Sequence, residues 1–204
     1  VIAGLLLLQP HLSATILILA IGASILFAAG IRLGWFVAGG AFMTAALWLV
    51  INTTDYMADR IAIWQDPWSD IQGDGYQIVQ SLYSIGSGGL LGLGFGNSRQ
   101  KFLYLPELQN DYVFPIVCEE LGFIGAAMIL LLFALLIIRG YWLALHARDR
   151  FGALLIVGIT TQVAVQVFLN IGVVTNLIPP TGISLPFFSY GGTALVIQLV
   201  EMGI

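Results

Sequence analysis

Long apolar runs, almost empty of charge, are what this chain has to fold around. About 20 helical residues cross the hydrocarbon of a bilayer, and runs of that order recur at residues 14–30, 35–51, 112–138 and 151–177. Two shorter runs, Val1 to Leu8 and the stretch after Gly192, read as the tail of one further helix and the start of another. A soluble domain carries about 25% charged residues; here the fraction is 9%, against 59% hydrophobic. Too few water-facing groups remain to cover a globular surface. The expected fold is therefore all-α, a polytopic transmembrane helical bundle integral to the membrane. No basic stretch suggests a nucleic-acid partner. Cys118 is the single cysteine, which excludes an internal disulfide, and His11 and His146 lie in separate segments, so no His/Cys metal site is read. The chain opens at Val1 and closes at Ile204 inside apolar runs, as expected of a fragment of one membrane domain, 1–204, cut at both ends.

The stops between the runs follow from local chemistry. Pro10 breaks the first helix and Ser13 can cap the next. Arg32 and Gly34 make a short turn. A long polar stretch, 52–111, reads as one large extracytoplasmic loop, and a Pro/Gly/aromatic loop, 178–192, precedes the last apolar run. Arg32, Arg139, Arg148 and Arg150 fall in short turns on one side by the count of crossings, which the positive-inside rule makes cytoplasmic. Both polar loops then share the outer side. Within the larger one, residues 56–64 could form a helix lying on the membrane. Asp66, Asp70 and Asp74 recur every four residues, but Pro67 and Gly73 interrupt any helix that would align them, so they read as turn residues.

Several residues could carry chemistry. The run from Gly86 to Gly96 is glycine-rich and is followed by Arg99 and Lys101. Neither phosphate-loop spacing nor a βαβ context accompanies it. It reads either as a close-packed or re-entrant segment, whose glycines let backbones approach, or as a contact for a lipid-linked diphosphate through Arg99 and Lys101. Asp111 immediately precedes an apolar run and suits a helix N-cap. Glu119 and Glu120 lie about two turns inside that run, where a carboxylate is expensive unless paired or wet. They imply a polar cavity or a structural ion pair. Glu201, deep in the last run, must face the bundle interior. Asn170 and Asn176 suit interhelical hydrogen bonds, and Cys118 suits a packed apolar position.

The runs Gln9-Pro10-His11-Leu12-Ser13, Gly75-Tyr76-Gln77-Ile78-Val79-Gln80-Ser81, Gly86-Ser87-Gly88-Gly89-Leu90, Leu105-Pro106-Glu107, Asn110-Asp111-Tyr112-Val113-Phe114, Glu119-Glu120-Leu121-Gly122-Phe123-Ile124-Gly125 and Pro179-Pro180-Thr181-Gly182-Ile183-Ser184-Leu185-Pro186-Phe187-Phe188-Ser189-Tyr190-Gly191-Gly192 resemble, in the same order, those of the SEDS proteins (shape, elongation, division, sporulation), the FtsW/RodA/SpoVE type. The last run is the most specific of them. The resemblance implies a many-helix enzyme of the bacterial cytoplasmic (inner) membrane that polymerises lipid II into glycan strands on the outer face. It implies work beside a class B penicillin-binding protein transpeptidase and other divisome or elongasome membrane proteins, in division, elongation or sporulation. It also implies that the catalytic acid after Leu-Pro-Glu is Asp111. Where most members carry His-Thr before this Asp, the chain has Gln109-Asn110, and His11 stands where Asp is usual.

On that reading Asp111 is the general base, and Arg99, Lys101, Glu107, Glu119 and Glu120 contact substrate. The leaving diphosphate needs charge stabilisation, which Arg99, Lys101 or a divalent cation (Mg or Mn) could supply; no resident metal site is assigned. A helix N-terminus makes an Asp a weaker base, which burial or nearby Glu107 would offset. Two rival classes remain open from sequence: a lipid II flippase, which would also need intramembrane carboxylates, and a non-enzymatic division scaffold.

Overall fold

The computed structural model describes residues 12–53, 55–71, 73, 75–98 and 110–204. Val1 to Leu8, His11, Asp74, Arg99, Lys101 and Glu107 lie outside the described residues. Among the described residues seven helices follow in order: α1 (Leu12–Ala28), α2 (Leu33–Thr53), α3 (Asp55–Gln65), α4 (Tyr76–Ser87), α5 (Val113–Leu145), α6 (Arg150–Val174) and α7 (Gly192–Met202). No strand occurs among the described residues. The chain is an all-helical, polytopic membrane protein, and α5 and α6 are long and apolar enough to cross a bilayer.

Two boundaries differ from the expected ones, each for a physical reason. The fourth apolar run was expected to end at Ile138, before Arg139. The helix instead continues to Leu145, and the Arg139 guanidinium lies 4.3 Å from the ring centroid of Trp142 one turn on. A cation laid on an aromatic face at the membrane boundary does not stop a helix. The polar stretch 52–111 is also more than a loop. It holds α3, α4 and a glycine hairpin over residues 88–98. In α4, Ile78, Val79, Ser81 and Ser84 are buried while Tyr83 is 53% exposed, a one-sided pattern that favours a helix. Its signal is short and runs directly into glycines.

In lipid, helices gain little from the hydrophobic effect on each other, so close packing and polar contacts must hold them together. The crossings obey this. A Cβ on Gly140 of α5 would lie 2.3 Å from Thr160 Oγ1 of α6, and Tyr141 and Thr161 share a 2.9 Å hydroxyl–hydroxyl bond beside it. On the other side of α6, Ile25 of α1 packs against Gly158. Asp149 caps α6, its Oδ2 accepting from Gly152 N at 2.7 Å. The buried cluster of Tyr112, Phe114, Cys118, Phe133, Val163, Val167, Val174 and Leu185 joins α5 and α6 to the 178–191 loop. Glu201 accepts from Gln162 Nε2 at 3.3 Å, so this carboxylate faces α6 as expected.

α5 is not one continuous helix. Gly122 takes φ 67, ψ −170 inside it. The break frees main-chain groups, and the glycine hairpin takes them up. Leu93 N donates to Glu119 O at 2.9 Å and Gly94 N to Glu120 O at 3.1 Å, while Phe123 N and Ile124 N donate to Gly89 O and Leu90 O at 2.9 and 3.2 Å. Backbones touch here because nothing larger than hydrogen is present. A Cβ on Gly88 would fall 1.9 Å from Cys118 O, and one on Gly122 would fall 2.3 Å from Gly92 N. The glycine run is thus a close-packed segment, one of its two expected readings.

Candidate functional site

Asp111 stands just before α5, and its surroundings come from three distant parts of the chain. The helix cap is Tyr112, with no capping side-chain bond, so the N-cap role that sequence allowed Asp111 is not what the structure shows. Its main-chain carbonyl accepts from Asn170 Nδ2 of α6 at 2.8 Å. The same Asn170 amide donates to Ile183 O at 2.7 Å. Asn170 is 1% exposed, its bond to Ile183 is buried and its bond to Asp111 half-buried. It ties the start of α5 to the Pro-Thr-Gly loop. Across that junction the Asp111 carboxylate reaches Gly182, where an added Cβ would sit 3.3 Å from Oδ2. Glycine keeps this approach open.

Arg60 completes the group. Its Nη1 donates to Pro180 O at 2.7 Å, which anchors α3 to the same loop. Trp64, one turn on, exchanges bonds with Asn176: Trp64 Nε1 donates to Asn176 O and Asn176 Nδ2 to Trp64 O, both at 3.2 Å. Asn176 has φ 58, a left-handed conformation that Asn tolerates better than most residues. Tyr112 reports the local field. It is buried at 5% exposure, and its hydroxyl pKa is pushed up to about 12, first by burial and then by the Asp111 charge, against an opposing pull from Arg60. Asp111 and Arg60 therefore act on the same small volume. The loop is held from below as well: Phe187 N donates to Gln198 Oε1 of α7 at 3.0 Å, and Leu185 N to Ser189 Oγ at 2.7 Å.

Glu119 and Glu120 lie on the α4 side of α5. Glu119 is 1% exposed, and its Oε2 accepts from Ser98 Oγ at 2.5 Å and Ser84 Oγ at 3.3 Å. Glu120 Oε1 accepts from Ser98 N at 3.4 Å. These carboxylates bind the chain itself, fixing the end of the hairpin against α5. The contact with substrate expected of Glu119 therefore has a competing occupant in Ser84 and Ser98.

Of the residues singled out from sequence, the structure brings Asp111 to the Pro-Thr-Gly loop and sets Glu119 and Glu120 beneath the hairpin. Arg99, Lys101 and Glu107 fall outside the described residues. Asp66 and Asp70 act as turn residues, accepting from Trp68 N at 3.2 Å and Gly73 N at 3.0 Å. Two residues were missed. Arg60 was not singled out from sequence, although an arginine on a short helix of the outer stretch was a signal. Asn170 was read as a helix–helix contact, and nothing local marks it otherwise. Among the described residues no group of three or more His, Cys, Asp or Glu could hold a metal ion.

The family model of FtsW/RodA/SpoVE cell cycle proteins matches residues 1–204. The chain is 47% identical over 196 residues to stage V sporulation protein E of Bacillus subtilis, covering 96% of this chain and 54% of that protein. It is 40% identical over 204 residues to a probable peptidoglycan glycosyltransferase FtsW of Geobacter sulfurreducens, covering 100% and 55%. Among solved structures, one from a study of how a peptidoglycan synthase complex coordinates polymerization and crosslinking superposes with a TM-score of 0.77 at 32% identity, over 99% of this chain and 56% of that one. An Asp-to-Ala mutant of the rod shape determining protein RodA from Thermus thermophilus superposes with a TM-score of 0.63 at 28% identity, over 99% and 51%. The chain thus spans about half the length of the curated relatives it matches.

Proposed function

The chain belongs to the FtsW/RodA/SpoVE family of cell cycle proteins, and from that premise we propose that the protein containing it is a peptidoglycan glycosyltransferase whose general base is Asp111. The substrate is lipid II, taken from the outer face of the bacterial cytoplasmic membrane. The observation that carries the assignment is the position of Asp111: it is displaced from the capping place by Tyr112, clamped through its main chain by Asn170, and aimed at an unobstructed glycine. The clamp fixes the Asp111 main chain, and with it the point from which the carboxylate reaches the Pro-Thr-Gly loop.

The reaction is one inverting displacement. The C4 hydroxyl of one lipid-linked sugar attacks C1 of the other. As the O–C1 bond forms, Asp111 takes the hydroxyl proton. The C1–O bond to undecaprenyl diphosphate breaks, and its electron pair leaves with the diphosphate. Arg60 is the described cation beside Asp111 and can offset charge developing on that oxygen. Arg99 and Lys101 are assigned to the diphosphate on chemical grounds. A divalent cation (Mg or Mn) would supply the same charge stabilisation, and no step is routed through it. Glu119 and Glu120 are assigned to holding the hairpin under the site.

The partner proposed is a class B penicillin-binding protein transpeptidase among the divisome or elongasome membrane proteins. The synthase complex of the structural relative supports it.

The decisive experiment gives lipid II to the purified full-length protein and to its Asp111→Asn variant. Glycan polymer from the parent and a rate lower by about 10²–10⁴ in the variant are expected. A variant that polymerises at the parental rate removes Asp111 from the chemistry. Translocation without polymer identifies a flippase, and neither activity identifies a scaffold.

A further inference from the structure

The end of α5 opposite Asp111 carries a feature that glycosyl transfer does not use. Arg139, Trp142 and His146 follow at i, i+3 and i+7 and so form one stripe on the helix surface. The Arg139 guanidinium lies 4.3 Å from the centroid of the Trp142 ring. The His146 ring stacks on the same indole, with centroids 4.3 Å apart and planes at 27°. His146 Nδ1 is 2.8 Å from Trp142 O. A carbonyl only accepts, so Nδ1 carries the hydrogen and Nε2 is left for another partner. The three side chains are exposed, Trp142 at 45%.

Charge at this end is one-sided. Arg148 and Arg150 follow in the turn to α6, and Arg32 stands in the turn after α1, which packs along α6. None of Arg32, Arg139, Arg148 and Arg150 has a carboxylate partner among the described residues. Asp149, the acid between two of them, is occupied in capping α6. Arg139 lies about 25 Å along the axis from Gly122 at about 1.5 Å per residue. That span nearly matches the ~30 Å of bilayer hydrocarbon and brings the stripe to headgroup level at the far face. An arginine there keeps its head in the headgroup layer, where lipid phosphates are its available counter-charges. The contact with Trp142 consumes none of its five N–H donors, which match the oxygens of a phosphate. The indole and the neighbouring Leu145, 84% exposed, supply an apolar wall for glycerol and acyl carbons.

We propose that the Arg139–Trp142–His146 stripe is a binding site for the phosphodiester headgroup of an anionic phospholipid in the leaflet opposite Asp111. The phosphate oxygens meet the N–H edge of Arg139, the stacked Trp142 and His146 rings wall the site, and Arg148 adds long-range attraction. The site depends on α5 spanning the membrane and is independent of the reaction at Asp111.

Native mass spectrometry of the full-length protein in neutral detergent, loaded with phosphatidylglycerol, tests this. The parent should retain the lipid. Arg139→Gln should retain about fivefold less, as expected for removing one interfacial cation, and Trp142→Ala should also retain less. Phosphatidylcholine should be retained weakly by all three. Because both positions are exposed, the variants should unfold at the parental temperature. Parental retention in both variants, equal retention of phosphatidylcholine, or displacement of the lipid by soluble glycerol phosphate would each overturn the assignment, the last by marking a free-phosphate site.

Discussion

At the Asp111 end of α5, polar groups are bonded to other segments of the same chain: Arg60 to Pro180, Asn170 to Asp111 and Ile183, Glu119 to Ser84 and Ser98. At the Arg139 end, Arg139 lies on one indole, Asp149 is occupied in capping α6, and none of the four arginines has a carboxylate partner among the described residues. The contrast has a physical basis. A group that must hold an atom in place for a reaction is over-determined by partners, because a misplacement of about 1 Å can cost 10²-fold in rate. A group that meets a fluid lipid needs only to be present at the right depth.

The sharpest way to break this contrast is to exchange chemistry between the ends. Asp111→Asn is expected to lose about 10²–10⁴ in polymerisation rate, while Arg139→Gln should polymerise at the parental rate when lipid II is saturating. A comparable loss in Arg139→Gln would show that the two ends are not separable.

The next effect separates them by packing. Gly88→Ala drives a Cβ to 1.9 Å from a main-chain carbonyl, whereas Gly140→Ala meets the side-chain hydroxyl of Thr160 at 2.3 Å. The Thr160 side chain, its methyl also at 2.8 Å, can yield in part by a small shift of α6, and a main-chain carbonyl pinned by the hairpin cannot. Thermal unfolding in detergent should show a loss of about 3 kcal/mol or more for Gly88→Ala and about 1 kcal/mol for Gly140→Ala. Equal losses would mean that the hairpin is not rigidly seated.

Asn170→Ala tests whether the clamp positions Asp111 or merely joins helices. Interhelical hydrogen bonds in membranes average about 0.6 kcal/mol, so stability should fall only slightly. The turnover number should drop about tenfold or more, with KM for lipid II nearly unchanged. A fall in stability with turnover intact would reduce Asn170 to a packing role.

The smallest expected effect is a pH dependence. The Tyr112 hydroxyl is held neutral, its pKa raised to about 12 from the ordinary value near 10. An acid whose pKa rises on folding stabilises the fold below about pH 10, and that contribution disappears as pH climbs from about 10 to 12. Tyr112→Phe should flatten the alkaline limb of unfolding temperature against pH. An unchanged limb would show that burial and the Asp111 charge do not hold this hydroxyl neutral.

These positions also mark how far sequence reasoning reaches. The long helices were legible because length and apolarity are collective properties that no single residue overturns. Asp111 was singled out because a resemblance carried its motif; that Tyr112 and not Asp111 caps α5 was not legible, since Tyr112 has no sequence signal as a cap. The Gly122 break and its bonds to residues 89–94 are main-chain contacts between distant segments, and main-chain contacts leave no trace in side-chain identity beyond the glycines that permit them. Arg60 reaches Pro180 across 120 positions of chain, a distance over which neither periodicity nor spacing informs.

The hairpin bonds have a consequence for the order in which this protein can be made. Leu93 N and Gly94 N find their acceptors on Glu119 and Glu120, which leave the ribosome well after the hairpin itself. Until then these two amides lack the acceptors they have in the fold, and hydrocarbon would penalise each unsatisfied group by several kcal/mol. The segment must therefore wait at the aqueous surface while the first turns of α5 are synthesised. It can settle only when the break at Gly122 arrives to receive it. Assembly of this region is thus sequential, and its late step is the joining of the hairpin to α5.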